Sequence, residues 1–348
     1  MQLIPSLTAL GTDDTGVPLV PEAALRKAHA LVPGDTRFKS ATRFLASNWR
    51  KERNIPIGTI RHEGRKQKLG SMISEPAGWA GHNFASSDIR DLAARELIFR
   101  QRAAMYDADR LRNNLLSSQT MAFNLFGPLA LDLKLASRVA RDLFPGILAT
   151  VTAVRFEYAP SRGDDRFGGD YTAWDVLFLG RTPAGGRGFI AVEVKYTESC
   201  DESGYKPISG RFQSMRSTSR LFIENEDGSL SAPQHTQLLR EHLMAQSVVD
   251  LGMAEAGTFA VIAPLGNHLA RKAAEGYAMT LNEPDGAAVP FIYRPTEAVL
   301  EALAANRYEQ YAQELFGRYL DFGRVAADLG FPAIPRSRAD TVTLSLPS

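Results

Sequence analysis

Residues Ala173-Trp174-Asp175-Val176-Leu177-Phe178-Leu179 and Gly188-Phe189-Ile190-Ala191-Val192-Glu193-Val194-Lys195-Tyr196 decide how this chain folds. Both runs are apolar and rich in β-branched and aromatic residues, so both read as strands. Gly185-Gly186-Arg187-Gly188 precedes the second run and reads as a hairpin turn. Glu193 and Lys195 are two apart, so on a strand they share a face, while Val192 and Val194 point into an apolar layer. Pairing the two runs as a hairpin brings Asp175 beside Glu193. The product is two carboxylates and one ammonium on one surface. A glutamate inside Phe-Ile-Ala-Val-Glu-Val needs a partner or a metal if its strand is covered on both faces.

Such a trio suits metal-assisted phosphoryl chemistry. Mg²⁺ or Mn²⁺ prefers oxygen donors, and Mg²⁺ keeps several waters, so one or two carboxylates suffice to hold it. A lysine one strand-step away can orient a water, take its proton if burial lowers the lysine pKa, or stabilise charge on a phosphate. The plainer reading makes Asp175 and Lys195 surface residues and pairs Glu193 with Lys195.

The flanking sequence supplies a frame for the hairpin. Pro5, Pro18, Pro21 and Pro33 mark an irregular N-terminal arm with a short helix at 22–31. Phe38, Leu45 and Trp49 recur at helical spacing, which predicts a helix over 38–53. The Gly-rich, polar stretch 55–85 reads as loop. Ser86 or Ser87 caps a helix through Tyr106, a second helix spans 109–126, Gly127-Pro128 breaks it, and a third runs to about Phe144. Strands follow at 150–158, 172–179 and 188–197, then a helix at 234–251. A buried strand at 258–263, a helix at 269–280, a short strand at 290–293 and helices from 296 and at 308–320 complete the chain. The central order is αβββαβ, expected for an α+β fold with a mixed sheet flanked by helices. Residues 1–108 read as an N-terminal arm and helical region, and 109–348 as the domain that carries the trio.

Composition narrows the function classes. The chain has 348 residues, 44% of them hydrophobic and 23% charged, with a net charge of +1, as in ordinary soluble globular proteins. No apolar run approaches a membrane span, and Met1–Thr12 lacks the basic and apolar parts of a secretory signal. Cys200 is the single cysteine, so no intrachain disulfide forms, and a reducing cytoplasm is the natural home. No Cys/His cluster, Walker loop or Gly-x-Ser-x-Gly elbow occurs. The charge is unevenly spread. Between 37 and 68 lie ten Lys and Arg residues, opposed by Glu52 and Glu63. Arg50, Lys51, Arg53, Arg65, Lys66 and Lys68 are its candidates for nucleic-acid contact, interleaved with aromatic residues. A solvated face balanced in space by distant acids is the equal alternative.

The αβββαβ order with Asp175 and Glu193-Val194-Lys195 resembles the PD-(D/E)xK nuclease superfamily. Leu115-Leu116-Ser117-Ser118-Gln119, Phe123-Asn124-Leu125-Phe126, Val194-Lys195-Tyr196-Thr197-Glu198 and Asn83-Phe84 are similar to a narrower group of bacterial restriction-endonuclease-like proteins. Trp174 stands where the first motif often has proline. The resemblance implies a restriction-endonuclease-like core and metal-dependent hydrolysis of DNA in restriction, defence or repair. Asp175 and Glu193 are then metal ligands and Lys195 the catalytic lysine. The superfamily often has a third acid on the helix before the sheet. That helix offers Gln119 and Asn124 instead, so Glu157 stands as candidate third ligand, or else as an edge-strand residue. Gln119, Glu198, Gln237 and Arg240 are auxiliary candidates. A homodimer would suit an enzyme that cuts both strands. The rival reading is a nucleic-acid-binding protein that keeps the fold without turnover.

Overall fold

The computed structural model describes residues 16–62, 64–201, 210–223, 232–282 and 289–331. Its strands are β1 (Ile57–His62), β2 (Arg65–Ile73), β3 (Thr150–Tyr158), β4 (Trp174–Arg181), β5 (Arg187–Val194), β6 (Ala256–Ala263) and β7 (Phe291–Pro295). β1 and β2 form a separate antiparallel hairpin. The other five form one sheet in the order β3-β4-β5-β6-β7. β3, β4 and β5 are antiparallel neighbours, whereas β5, β6 and β7 run parallel. The expected α+β architecture with a mixed, helix-flanked sheet is therefore the observed one.

The alternation of side chains places two apolar layers. Val176, Phe178, Ile190, Val192, Val194 and Ile262 face one layer, which is packed by helices Ser118–Leu131, Leu133–Leu143, Thr296–Leu303 and Glu309–Tyr319. Leu177, Phe189, Ala191, Phe259 and Val261 face the other, covered by helices Pro233–Asp250 and His268–Ala278. β5 is buried from Gly188 to Val194, as its near-continuous apolar run requires of a central strand. By the same parity Glu193 belongs to the face under helix Pro233–Asp250, so a carboxylate is committed to that layer. The first layer joins Trp49, Ile55 and Ile89 to Phe123, Val176 and Tyr319, so residues on both sides of position 108 share it.

Four expectations fail. The stretch 55–85 is the hairpin β1–β2 followed by helix Glu75–Trp79, not loop. Arg65–Lys68 are all exposed, so the outer half of β2 has no apolar alternation to read. Gly70 is required because Ala28 O and Ser47 Oγ would lie 2.3 and 2.4 Å from an added Cβ. Gly127-Pro128 does not break a helix but lies inside Ser118–Leu131. Pro128 has no N–H for the Asn124 carbonyl, and the Tyr311 hydroxyl donates to that carbonyl at 2.6 Å instead. The helix begun at Ser87 stops at Ile98, and the stretch after Asp107 divides into Ala108–Asn113 and Ser118–Leu131, each capped by a side chain, Asp107 and Ser117.

Candidate active site

β4 and β5 pair with Val176 opposite Val192, and one residue further along this register Asp175 stands beside Glu193. At this end of the ladder the Asp175 side chain replaces a backbone acceptor: Val194 N–H donates to its Oδ2 at 2.9 Å. Asp175 is half-buried, and Glu193 and Lys195 are buried. Lys195 Nζ lies 2.8 Å from Glu193 Oε1. Its backbone is tied to β6 by Lys195 N–H donating to Ile262 O at 2.8 Å, so the trio rests on the rigid centre of the sheet.

Helix Pro233–Asp250 crosses above and supplies Gln237. Lys195 Nζ donates to Gln237 Oε1 at 2.7 Å, and Gln237 Nε2 donates to Glu193 Oε1 and to Glu241 Oε1, each at 2.8 Å. With two acids on its amino side and an ammonium on its carbonyl side, the amide has one sensible orientation. Glu241 was not anticipated from the sequence. Its signal was its place one turn after Gln237, on the same helical face. It is 1% exposed, and its Oε2 has no hydrogen-bond partner. Its backbone carbonyl accepts from Trp174 Nε1 at 3.2 Å, which ties the helix to the start of β4.

Burial raises the Asp175 carboxyl well above the usual carboxylate range, and Glu193 and Glu157 raise it further. Burial, then Glu193, does the same to Glu241. For Lys195, burial pulls the ammonium down, but Glu193, Cys200 and Glu241 outweigh it, and Lys195 is held above its ordinary value. The buried Cys200 thiol is pushed up to about 12, mainly by burial, which makes it unreactive. Asp175, Glu193 and Glu241 thus crowd around one ammonium, which cannot balance all three as carboxylates, and Asp175 and Glu241 are pushed towards their neutral forms. The hard oxygen donors of Asp175 and Glu193, side by side at the end of the ladder, fit a divalent cation. Among the described residues no group of three or more His, Cys, Asp or Glu is disposed to hold an ion. The arrangement therefore offers the pair Asp175 and Glu193, and an ion there would keep much of its water.

The remaining candidates make the following contacts, and Glu157 lies near enough to act on both Asp175 and Glu193. Glu157 has a left-handed backbone, φ 47°, an uncommon conformation for a non-glycine residue. Its Oε1 lies 3.4 Å from Arg162 and accepts Met105 N–H at 3.3 Å. Burial, the largest influence, raises its carboxyl against the opposing pull of Arg162. Gln119 braces the same segment, donating to Met105 O at 3.1 Å and accepting from Asp107 N–H at 3.4 Å. Glu198 is folded back on Tyr196 and Thr197 N–H and pairs with Arg110. Arg240 lies 3.8 Å from Asp170. His242 is buried between Tyr277 and Val289, and His235 packs on the Tyr277 ring. In the basic segment Arg50 is pinned to Gly70 O and Ile55 O, whereas Lys51, Arg53, Arg65, Lys66 and Lys68 are exposed.

Among the described residues no helix is long and apolar enough to cross a membrane. Neither the curated proteins nor the solved structures include a match to this chain. A family model does match, over residues 33–321, a span that holds β1 to β7, the Asp175–Glu193–Lys195 cluster and the helix carrying Gln237. On that match the chain belongs to the PD-(D/E)XK nuclease superfamily.

Proposed function

We propose that the protein is a metal-dependent deoxyribonuclease that hydrolyses DNA phosphodiester bonds as a restriction, defence or repair endonuclease. The observation that carries this reading is the convergence of Asp175, Glu193, Lys195 and Gln237 at one end of β4 and β5, with more carboxyl groups than Lys195 can balance. Asp175 and Glu193 hold the cation, with the Val194 carbonyl as a further oxygen donor. Mg²⁺ or Mn²⁺, when bound, polarises a phosphoryl oxygen and makes a water more acidic. Lys195, kept charged by Glu193, orients the attacking water and stabilises charge on the phosphate. Gln237 holds Lys195 and Glu193 in register. Lys51, Arg53, Arg65, Lys66 and Lys68, in the region before residue 109, supply sequence-independent contacts to the DNA backbone.

The test is cleavage of supercoiled and linear DNA, with an RNA of similar length beside them, in Mg²⁺, Mn²⁺ or EDTA. Wild type should nick DNA with metal only, and Lys195→Ala should not. Salt-sensitive DNA binding without cleavage under any condition would replace this reading with that of a binding protein that keeps the fold. Absence of both binding and cleavage would remove DNA as the substrate.

A further inference from the structure

A cavity opens away from the carboxylates, between helix Arg37–Glu52, the start of helix Ser87–Ile98 and helix Glu309–Tyr319. Its volume is about 430 Å³, within the range of small-ligand sites. None of Asp175, Glu193, Lys195 or Gln237 lines it. Arg318 does, and Arg318 is 4% exposed. One nitrogen, Nη2, donates to Asn83 Oδ1, while Nε and Nη1 are buried with no hydrogen-bond partner. Among the described residues no carboxylate is paired with it. The Trp49 and Tyr319 rings, 4.6 and 4.8 Å from the Arg318 guanidinium carbon, offset part of the cost of burial, but two donor atoms and the counter-charge stay unmatched.

The surroundings say what matches them. Arg53 and Arg318 both lie over the Trp49 ring, with guanidinium carbons 4.5 and 4.6 Å from its centroid. Two like charges on one ring repel, as the effect of Arg318 on Arg53 reflects, and an anion beside them relieves that repulsion. Helix Ser87–Ile98 is 12 residues long, and its first residues, capped by Ser86, border the same cavity. Free N–H groups and the positive end of the helix dipole favour an anion there. Ser86 and Ser87 add hydroxyls, Arg90 a third guanidinium and Trp49 a flat apolar wall. Asn83 holds Arg318 in place from a fixed position: its Nδ2 donates to Leu111 O at 2.8 Å and to Asn114 O at 3.0 Å. Arginine forks match phosphate oxygens in pairs. The opposing carboxylates are Glu314, exposed on the rim, Glu52 beside Arg53, and Asp91, which pairs with Arg90 at 2.8 Å.

We infer that this cavity is a second binding site, distinct from the carboxylate cluster, for a phosphomonoester of nucleotide size seated between Arg318, Arg53 and the start of helix Ser87–Ile98. The phosphate comes either from a free nucleotide or from the 5′ end of a nucleic-acid strand.

Calorimetric titration of the full chain in EDTA tests this with four probes: inorganic phosphate, adenosine 5′-monophosphate, and one short single strand with and without a 5′-phosphate. Binding of phosphate and of the mononucleotide, which do not need the DNA-backbone surface, should weaken about tenfold or more in Arg53→Gln and in Arg318→Lys, which keeps the charge and loses the fork. It should tighten in Glu314→Gln. Binding of phosphate and the mononucleotide, with the two strands alike, assigns a free nucleotide. Preference for the phosphorylated strand over both the unphosphorylated strand and the mononucleotide assigns a strand end. If no phosphate-bearing probe binds wild type, or if Arg53→Gln binds as wild type does, the inference is overturned. Arg53 is exposed, so its variant keeps the test valid even if Arg318→Lys does not fold.

Discussion

At the scale of single residues, Gln237 carries more than its neutral side chain suggests. Among the described residues it is the one group that hydrogen-bonds to Glu193, Lys195 and Glu241 together. Gln237→Ala leaves every charge in place but frees Lys195 and Glu193 to re-pair. Removing such an orienting group costs roughly 10–100-fold in metal affinity or activity. A Mg²⁺ titration of DNA cleavage should reveal that loss, and an unchanged curve would strip Gln237 of its role. Asp175, Glu193 and Lys195 were legible because strand alternation converts spacing directly into a shared face. Glu241 was not, because only tertiary packing decides which helical face looks down on β5. His242 yields a second residue-scale prediction. Its Nε2–H donates to Val289 O at 2.7 Å and its Nδ1 faces Tyr277 OH at 3.0 Å, so the neutral ring is satisfied. Burial lowers its pKa to about 4 from 6.5, against the smaller opposing effect of Val289. Between those values the unfolded chain takes a proton that the folded one refuses. Stability from this group is therefore complete above pH 6.5 and declines as pH falls towards 4, by about 3 kcal/mol in all. A ring-proton NMR titration of His242 should give a midpoint near the lower value; one at the ordinary histidine value would contradict the packing described.

At the scale of elements, the instructive case is helix Ser118–Leu131. Glycine followed by proline reads locally as a stop signal, yet both residues are helical. Gly127 is there because an added Cβ would lie 2.5 Å from Ile89 Cδ1, so two helices touch at that point. Pro128 is tolerated because Tyr311, far along the chain, supplies the missing donor to Asn124 O. Tyr311→Phe should therefore orphan a buried carbonyl and cost about 1–2 kcal/mol, read as a lower urea midpoint with an unchanged slope. A variant as stable as wild type would mean that the carbonyl is satisfied some other way. The hairpin β1–β2 escaped reading for the opposite reason. Its outer positions are polar on both faces, and its inner ones are held by close backbone approach at Gly70. Strands such as β5 and β6, buried on both faces, were plain because their apolar runs are too short and too β-branched for helices.

At the scale of the whole molecule, the fold concentrates its polar cost at one end of the central strands. The sheet interior is apolar on both faces, yet Asp175, Glu193 and Glu241 enter it with Lys195 as the nearby ammonium. Function and stability should oppose each other here. A cation that binds the folded chain alone stabilises it by RT ln(1 + [L]/Kd), about 2.7 kcal/mol at a hundredfold excess over Kd. Mg²⁺ should thus raise the unfolding temperature of wild type in proportion to the logarithm of its concentration once Kd is exceeded. Asp175→Asn separates the two demands. The amide oxygen can still accept Val194 N–H, so the end of the β4–β5 ladder survives, while one like charge beside Glu193 is gone. In EDTA this variant should equal or exceed wild type in stability by about 1 kcal/mol, as neutralising a crowded functional charge commonly does. It should lose both the Mg²⁺-dependent shift and cleavage. Differential scanning calorimetry with and without Mg²⁺ decides the matter. A variant that is less stable in EDTA but keeps the Mg²⁺ shift would show that the crowded acids serve packing and that the cation binds elsewhere.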